Sequence, residues 1–140
     1  PAKDSVTDNP NPVKVLIVED DLQIQQMYVT MFTIRRYSVV VANDGDEGLL
    51  KTREQKPDVI LLDIMMPKMN GIEMLESLKR APDTKDIPVI MLSNIADEEH
   101  VQEALSKGAI KYIIKSEYVP RQVAEVVEEV VAQNRQTSAS

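Results

Sequence analysis

The hydrophobic residues of this chain fall into five short runs, separated by longer segments in which apolar residues are spaced as in a helix. Short runs rich in β-branched residues and bounded by polar ones are typical of β-strands. We therefore predict five strands. They are VKVLIV (13–18), SVVVA (38–42), DVILLD (58–63), IPVIMLS (87–93) and AIKYII (109–114).

A segment with helical spacing follows each predicted strand. In the first and last segments, five apolar residues recur at i, i+3, i+4, i+7 and i+8, which predicts amphipathic helices. The last helix is expected to begin at Pro120, a favourable first-turn residue. Another should run from the acidic residues 97–99 to Lys107-Gly108, and weaker patterns predict helices over about 46–55 and 71–80. The two stripes comprise Ile24, Met27, Tyr28, Met31 and Phe32, and Val123, Val126, Val127, Val130 and Val131.

Strands that alternate with helices predict an α/β domain, with one parallel sheet covered by helices on both faces. The first, third and fourth strands are apolar almost throughout, as central strands should be. The second strand contains Ser38 and the fifth contains Lys111-Tyr112, so we expect these two at the edges of the sheet.

Composition adds limits to this fold. The 140 residues suggest one domain, which we place at 13–133, between a disordered arm at 1–12 and a flexible tail at 134–140. The 43% hydrophobic and 4% aromatic content predicts an aliphatic core. A net charge of −7 argues against a nucleic-acid-binding surface. The absence of cysteine excludes disulfides and thiolate metal sites and favours a reducing cytoplasm, and no signal peptide or membrane-spanning run is apparent.

Polar residues that could carry chemistry stand where the predicted strands end. In open parallel sheets, ligands bind beyond the carboxyl ends of the strands, where the strand order reverses. These residues are Glu19, Asp20 and Asp21 after the first strand, Asp63 at the end of the third, Ser93 and Asn94 at the fourth, and Lys115 and Ser116 at the fifth.

The acidic residues have two open explanations. Each acid could stabilise the start of a helix by roughly 0.3–1 kcal/mol. However, three consecutive carboxylates repel one another, and Asp63 adds a fourth if the first and third strands are neighbours. A hard divalent cation such as magnesium, which prefers oxygen ligands, would relieve that repulsion. Lys115 is either a surface lysine or a point charge for a phosphate or carboxylate, and Ser93 could simply end a strand.

These strand ends resemble those of bacterial response-regulator receiver domains, the phosphoacceptor domains of two-component signalling. The likeness covers about residues 13–133 through the motifs VLIVEDD, DVILLDIMMPKMNG, VIMLS and YIIK, in that order. It implies a single doubly wound (βα)5 domain of the flavodoxin-like type, with strand order 2-1-3-4-5.

The resemblance also implies roles for individual residues. Asp63 would be the nucleophile that accepts a phosphoryl group from a sensor histidine kinase or phosphotransfer protein. Asp20 and Asp63 would bind magnesium directly and Glu19 through water, with the backbone carbonyl of Met65 as a further ligand. Asp21 would be only a helix-start acid.

Three more residues would complete the switch that the resemblance implies. Ser93 would bond a phosphoryl oxygen, Lys115 would pair with Asp63 or the phosphoryl group, and Tyr112 would change its exposure. The alternative for Tyr112 is a half-buried edge-strand aromatic. The chain would then be a phosphoacceptor and not an enzyme, promoting only its own phosphorylation and dephosphorylation. It would act on an unknown protein through the face of helix 4, strand 5 and helix 5, as a monomer or weak homodimer without direct contact to nucleic acid or membrane.

Several residues depart from the family pattern or shape its loops. Ser116 replaces a proline that is often cis, and Asn94 replaces a small residue, so we expect Asn94 to narrow access to the phosphoryl group. Gly48 should weaken the second helix. Pro67 and Asn70-Gly71 are expected to shape the loop after Asp63, with Gly71 adopting a backbone angle that other residues resist.

Four alternative functions differ in the residues or domains that they require. The chain could be the receiver part of a longer DNA-binding or enzymatic regulator. A phosphatase of the haloacid-dehalogenase type would need a second Asp at position 65, which is Met. A flavodoxin-like redox module would need a phosphate-binding loop where this chain has Glu-Asp-Asp. A pseudo-receiver would lack part of the acid and lysine set, which is intact here.

Overall fold

The computed structural model describes residues 12–66 and 69–139, with side chains described as far as residue 135. Within these residues, five strands and five α-helices alternate along the chain. The strands are β1 (Lys14–Val18), β2 (Ser38–Ala42), β3 (Val59–Asp63), β4 (Val89–Ser93) and β5 (Lys111–Ile114). The helices are α1 (Leu22–Ile34), α2 (Gly45–Gln55), α3 (Gly71–Arg80), α4 (Glu98–Ser106) and α5 (Pro120–Ala139), with a 3-10 helix at Lys115–Glu117. No helix in the described ranges has the length and apolar character needed to cross a bilayer.

All five strands pair in parallel in one sheet, in the spatial order β2-β1-β3-β4-β5. The predicted doubly wound, flavodoxin-like (βα)5 fold with strand order 2-1-3-4-5 is therefore confirmed. β3 and β4 are buried along their whole length, whereas the edge strands β2 and β5 are largely half-exposed. The strand order reverses between β1 and β3, so a crevice opens at the carboxyl ends of these two strands.

Successive residues of the central strands point alternately into two hydrophobic cores, one on each face of the sheet. The core beneath α1 and α5 contains Ile17, Leu61 and Leu92. The core beneath α2, α3 and α4 contains Leu16 and Leu62. Burial on both faces explains why these strands are continuous apolar runs and not alternating ones.

Helix α1 departs from its predicted hydrophobic stripe at one position. Tyr28 and Phe32 are buried, as predicted, but Met27 is exposed, so its assignment to the buried stripe is wrong. Gln25 is buried on this face instead, three residues before Tyr28 and seven before Phe32. A buried amide needs hydrogen-bond partners, and those of Gln25 lie at the carboxyl edge of the sheet.

Capping residues determine where the helices begin. The side chains of Asp21, Asp44 and Asn70 accept hydrogen bonds from first-turn N–H groups of α1, α2 and α3. Asp21 is thus the helix-start acid that was expected, and α5 begins at Pro120 as predicted. Each cap satisfies donors that a helix leaves unpaired at its start.

Gly48 has a packing role inside α2. A Cβ at this position would lie 2.8 Å from the Sδ of Met74 and 3.3 Å from Cγ1 of Val18. The glycine therefore allows α2 to approach α3 closely, which explains a residue of poor helix propensity at this place. The expected softness of α2 stays a prediction.

The arm predicted at 1–12 lies outside the described residues except for Pro12. At the other end, α5 continues to Ala139, beyond residue 133, where we expected the domain to end. The apolar stripe of α5 ends at Val131, but no Pro or Gly follows to stop the helix. The flexibility of 134–140 stays a prediction.

Candidate functional site

Four of the predicted strand-end residues meet at the carboxyl edge of the sheet. Glu19 directly follows β1, Asp63 ends β3, Ser93 ends β4 and Lys115 follows β5. In the parallel register, Ser93 stands opposite Ile114, the last residue of β5, and Lys115 follows directly in the chain. Strands that end level with one another thus bring residues distant in sequence into one crevice.

Three carboxylates form a compact group in this crevice. One oxygen each from Glu19, Asp20 and Asp63 lies within 4.8 Å of the other two. Glu19 is 2% exposed and Asp63 5%, whereas Asp20 faces solvent. Oxygen atoms at this spacing suit a hard divalent cation, which combines carboxylate ligands with water. The three residues therefore fit a metal ion, and no other group of His, Cys, Asp or Glu in the described part of the chain has this geometry.

Lys115 places a positive charge beside these carboxylates. Its Nζ lies 2.8 Å from Oε1 of Glu19 and 3.5 Å from Oδ2 of Asp63, and its side chain is only 14% exposed. Burial lowers the pKa of Lys115, but the hydrogen bond to Glu19 and the charges of both carboxylates raise the pKa by more, so it lies above its usual value. One ammonium group cannot balance three ionised carboxylates. The site thus favours a further cation.

The surroundings of Asp63 within the chain make its carboxyl group an unusually weak acid. Burial and then the negative charge of Glu19 raise the pKa of Asp63 to about 7, although Lys115 lowers it. The backbone N–H of Met65, 3.3 Å from Oδ1, also favours the ionised form. A bound cation would act in the same direction as Lys115. The charge on Asp63 is therefore sensitive to any cation that enters the crevice.

Glu19 is fixed by hydrogen bonds to its side chain and to its backbone. Its Oε2 accepts from the N–H of Asp21 at 3.2 Å, and its own N–H donates to the carbonyl of Ala42 at 3.1 Å. The Nε2 of Gln25 donates to the Glu19 carbonyl and to Oδ1 of Asn43, both at 2.9 Å. Gln25 was not among the predicted site residues. A polar residue on the buried stripe of α1 is the pattern that could have identified it.

Ser93 and Tyr112 are connected through the backbone of a single residue. Ser93 is buried, and its Oγ accepts a hydrogen bond from the N–H of Ile95 at 3.0 Å. The hydroxyl of Tyr112, which is half-buried on β5, donates to the carbonyl of the same Ile95 at 2.8 Å. A movement of the segment after β4 would therefore disturb both contacts.

The segment after Asp63 differs from expectation at Gly71. Among the described residues, the positive-φ glycine is Gly108, so the unusual backbone angle predicted for Gly71 is wrong. Instead, a Cβ at position 71 would lie 2.3 Å from the carbonyl oxygen of Asp63. Glycine is needed here because α3 begins directly against the backbone of Asp63. Asn70 starts that helix with a capping box.

The rim of the crevice contains the remaining predicted features. The side chain of Met65 is exposed, and the role of its carbonyl as a metal ligand stays a prediction. Pro67 lies outside the described residues. Lys115 and Ser116 belong to the 3-10 helix, and the described chain contains no cis peptide bond. Asn94 is exposed and lines, together with Lys115 and Ser116, a cavity of about 310 Å³.

Proteins of known family match most of the chain. A family model, the response regulator receiver domain, matches residues 15–128. The "Probable transcriptional regulator ycf27" of Guillardia theta is 37% identical over 102 residues, which are 73% of this chain and 39% of that protein. The "Phosphate regulon transcriptional regulatory protein PhoB" of Escherichia coli is 38% identical over 102 residues, 73% of this chain and 44% of that protein. The chain thus spans about two fifths of the length of these curated relatives.

Solved structures share the fold as well. A CheY-like response regulator receiver domain protein from Methanospirillum hungatei is 28% identical with a TM-score of 0.83, covering 90% of this chain and 98% of that one. A chain of the CheX–CheY–BeF3–Mg2+ complex from Borrelia burgdorferi is 33% identical with a TM-score of 0.79, covering 85% and 89%. Because the matched family region includes all five strand ends and the residues gathered there, the chain belongs to the family of response regulator receiver domains.

Proposed function

We propose that this chain is a phosphoacceptor, in which Asp63 takes a phosphoryl group from a histidine kinase or phosphotransfer protein in the presence of magnesium. One observation carries the proposal. A buried carboxylate ends β3 with an ammonium group 3.5 Å away and two further carboxylates placed to share a cation with it. The family and the Mg2+ in the related Borrelia burgdorferi complex support the same function.

The residues of the crevice suit in-line phosphoryl transfer. An oxygen of Asp63 attacks phosphorus while the bond from phosphorus to the donor nitrogen breaks and its electron pair leaves with the imidazole. Lys115 offsets negative charge on the transferred oxygens. Magnesium held by Glu19, Asp20 and Asp63 would supply further positive charge there. Met65 offers no acid or base for hydrolysis of the product, so we do not expect phosphatase turnover.

The output would follow from the contacts of Ser93. If its hydroxyl turned to a phosphoryl oxygen, the N–H of Ile95 would lose its acceptor, and the hydrogen bond from Tyr112 to the Ile95 carbonyl would be strained. A phosphoryl group shifts the population of two forms only if it interacts better with one of them. Ser93 and Lys115 would provide this difference in interaction, which would change the face formed by α4, β5 and α5. Through that face the chain, as a monomer or weak homodimer, would bind an unknown protein.

Intact-mass spectrometry after incubation with magnesium and acetyl phosphate tests this function. We expect one added phosphoryl group, its absence in Asp63→Asn, and its retention in the matched control Asp83→Asn, an exposed acid in the segment after α3. Omitting magnesium should slow the addition strongly. A mass increase that persists in Asp63→Asn, or no increase in the wild type, would contradict the proposal.

A second candidate is the receiver portion of a longer transcriptional regulator. It is favoured by the relatives, which are named as transcriptional regulators and are more than twice as long as the matched region. The coding sequence on either side of these residues tests it, since a DNA-binding domain encoded in the same reading frame would establish the longer protein.

A further inference from the structure

Strand β2 forms one edge of the sheet, so half of its backbone groups face away from any neighbouring strand. Its sequence, SVVVA, is rich in β-branched residues and has no charge and no Pro. Natural sheets usually protect an edge with charged residues, Pro or bulges, because an unpaired edge can bind another strand. The opposite edge strand, β5, carries Lys111. In the described chain, β2 is protected only in part, by side chains of α2.

Two side chains of α2 cover the carboxyl end of the β2 edge. The Nζ of Lys51 donates to the carbonyl of Val41 at 3.3 Å. The Oε1 of Glu47 accepts from the N–H of Asn43 at 2.7 Å. Lys51 and Glu47 also form an ion pair at 3.8 Å. The backbone groups at this end of the edge are therefore satisfied within one chain.

The backbone groups at the amino end of the edge have no such cover. The N–H of Ser38 donates to the carbonyl of Val13 at 2.8 Å, so the carbonyl of Tyr37, in the same trans peptide, points away from β1. Because successive peptides of a strand alternate, the N–H and carbonyl of Val39 and the N–H of Val41 also point outward. Within the described chain, no hydrogen bond reaches these four groups. In order along the edge they are acceptor, donor, acceptor and donor.

We infer that this edge binds a second copy of the chain, with β2 antiparallel to β2 about a two-fold axis at Val39. The pattern of free groups, followed backwards along the second copy, is its own complement. Each Val39 exchanges both backbone hydrogen bonds with the other Val39, and each Val41 N–H donates to a Tyr37 carbonyl. The carbonyl of Val41 keeps its bond to Lys51, since the opposing N–H of Tyr37 already donates to Phe32 at 3.0 Å. Such an interface is symmetric and closed, as in most homodimers.

Charged side chains beside the edge favour the same register. Arg36 of one copy would lie level with Ala42 of the second copy, next to Asn43 and the Glu47 that caps it. Arg36 is exposed and forms no ion pair with any residue that the structure describes. Ile34, which is 72% exposed, ends α1 just before Arg36 and adds apolar surface at the same place. Opposite charges at the two ends of the paired strands therefore support the antiparallel arrangement.

The dimer leaves both proposed signalling surfaces open, and it does not depend on the proposed function. β2 and β5 lie at opposite edges of the sheet, so the face of α4, β5 and α5 stays uncovered in each copy. β1 separates β2 from β3, which carries Asp63. A dimer would thus present two such faces to a partner, and a partner with two binding sites would bind it more tightly than a monomer.

Sedimentation equilibrium at protein concentrations up to about 1 mM measures the association. We expect a dissociation constant on the order of 0.1 mM, because four backbone hydrogen bonds and a small apolar contact make a weak interface. Val39→Pro removes the central donor, which points away from β1, so the ladder to β1 is kept. This variant should weaken the dimer on the order of tenfold. Circular dichroism checks that it is folded.

A second pair of variants tests the register without altering the strand. Arg36→Glu should weaken the dimer several-fold, and combining it with Glu47→Arg should restore most of the loss, because the charges are exchanged across the interface. The matched control is Arg53→Glu, which makes the same change of charge at an exposed position of α2. It should leave the dissociation constant unchanged. Equal weakening by Arg36→Glu and Arg53→Glu would overturn the inference.

Amide hydrogen exchange followed by NMR locates the interface. At about 1 mM, exchange at Val39 and Val41 should be roughly fivefold slower than in dilute protein, since only about a fifth of the chains would then be monomeric. Amides of β5 should not change. The absence of a dimer, protection at β5 instead, or protection of Val39 that does not depend on concentration would overturn the inference. The phosphorylation of Asp63 would stand in each case, because it is measured separately by intact mass.

Discussion

Replacing Asp63 by Asn tests the electrostatic description of the site, because it removes a buried charge and nearly preserves the shape of the side chain. The pKa of Asp63 rises from an ordinary 3.8 to about 7, so ionising this group in the folded chain costs free energy. The difference corresponds to roughly 4 kcal/mol. Water at the rim of the crevice screens the charge, which reduces the expected effect to about 1–2 kcal/mol. In the absence of divalent cations, Asp63→Asn should therefore raise the free energy of unfolding by that amount at about pH 8.

The pH dependence of this gain has a definite sign. Because the pKa of Asp63 is higher in the folded chain than in the unfolded one, the folded chain binds the proton more tightly between about pH 4 and pH 7. The wild type should thus lose stability as the pH rises through this window. Asp63→Asn lacks this titration. The two proteins should have similar stability below about pH 4 and differ most above about pH 7.

Urea unfolding followed by circular dichroism measures these free energies, first with a chelator and then with magnesium. At a magnesium concentration about ten times its dissociation constant, the wild type should gain roughly 1.4 kcal/mol. Asp63→Asn should lose most of this gain. The control Asp20→Asn removes an exposed carboxylate, so it should also lose the magnesium effect but change little in chelator. A gain in Asp63→Asn that is the same at every pH, or a loss of stability in chelator at high pH, would refute the reasoning.

Three further predictions follow from contacts around the site. Gly71→Ala should lower the free energy of unfolding by about 1–3 kcal/mol, because the new Cβ meets the backbone of Asp63. The control is Gly48→Ala, whose Cβ meets the flexible end of a methionine side chain. Equal losses of stability for the two variants in urea unfolding would contradict this explanation. Gln25→Leu should weaken magnesium binding by about 10–100-fold, because the backbone carbonyl of Glu19 loses its hydrogen-bond donor. The affinity is measured from the stabilisation that magnesium gives in urea unfolding. An unchanged affinity would mean that Gln25 contributes only to packing. Asn94→Ala should speed the loss of the phosphoryl group by opening the rim of the crevice to water, and identical dephosphorylation rates by intact mass would remove this idea.

The strands and the residues at their ends could be predicted because both follow from the pattern of apolar and polar residues over short stretches of the sequence. A strand buried on both faces must be apolar throughout, so β1, β3 and β4 are visible as continuous runs. Parallel strands end at the same edge of a sheet, so strand order along the sequence is enough to assign Asp63, Ser93 and Lys115 to one crevice. The bounds were less accurate. β4 begins at Val89 and β5 at Lys111, two residues later than predicted, because the apolar pattern does not show where pairing with the neighbouring strand starts.

The sequence by itself therefore determined the alternation of strands and helices and the chemical groups that stand at the strand ends, while its likeness to a known family supplied the strand order. Only the tertiary structure decided which other residues contact or adjoin these strand-end groups. Gln25 holds the backbone of Glu19, Gly71 admits α3 against Asp63, and Tyr28 is left without an acceptor among the described residues. Each of these features depends on a distance of a few ångströms between separate segments of the chain. Periodicity specifies the face of a helix or strand on which a residue lies, but such distances are set by how the faces pack together.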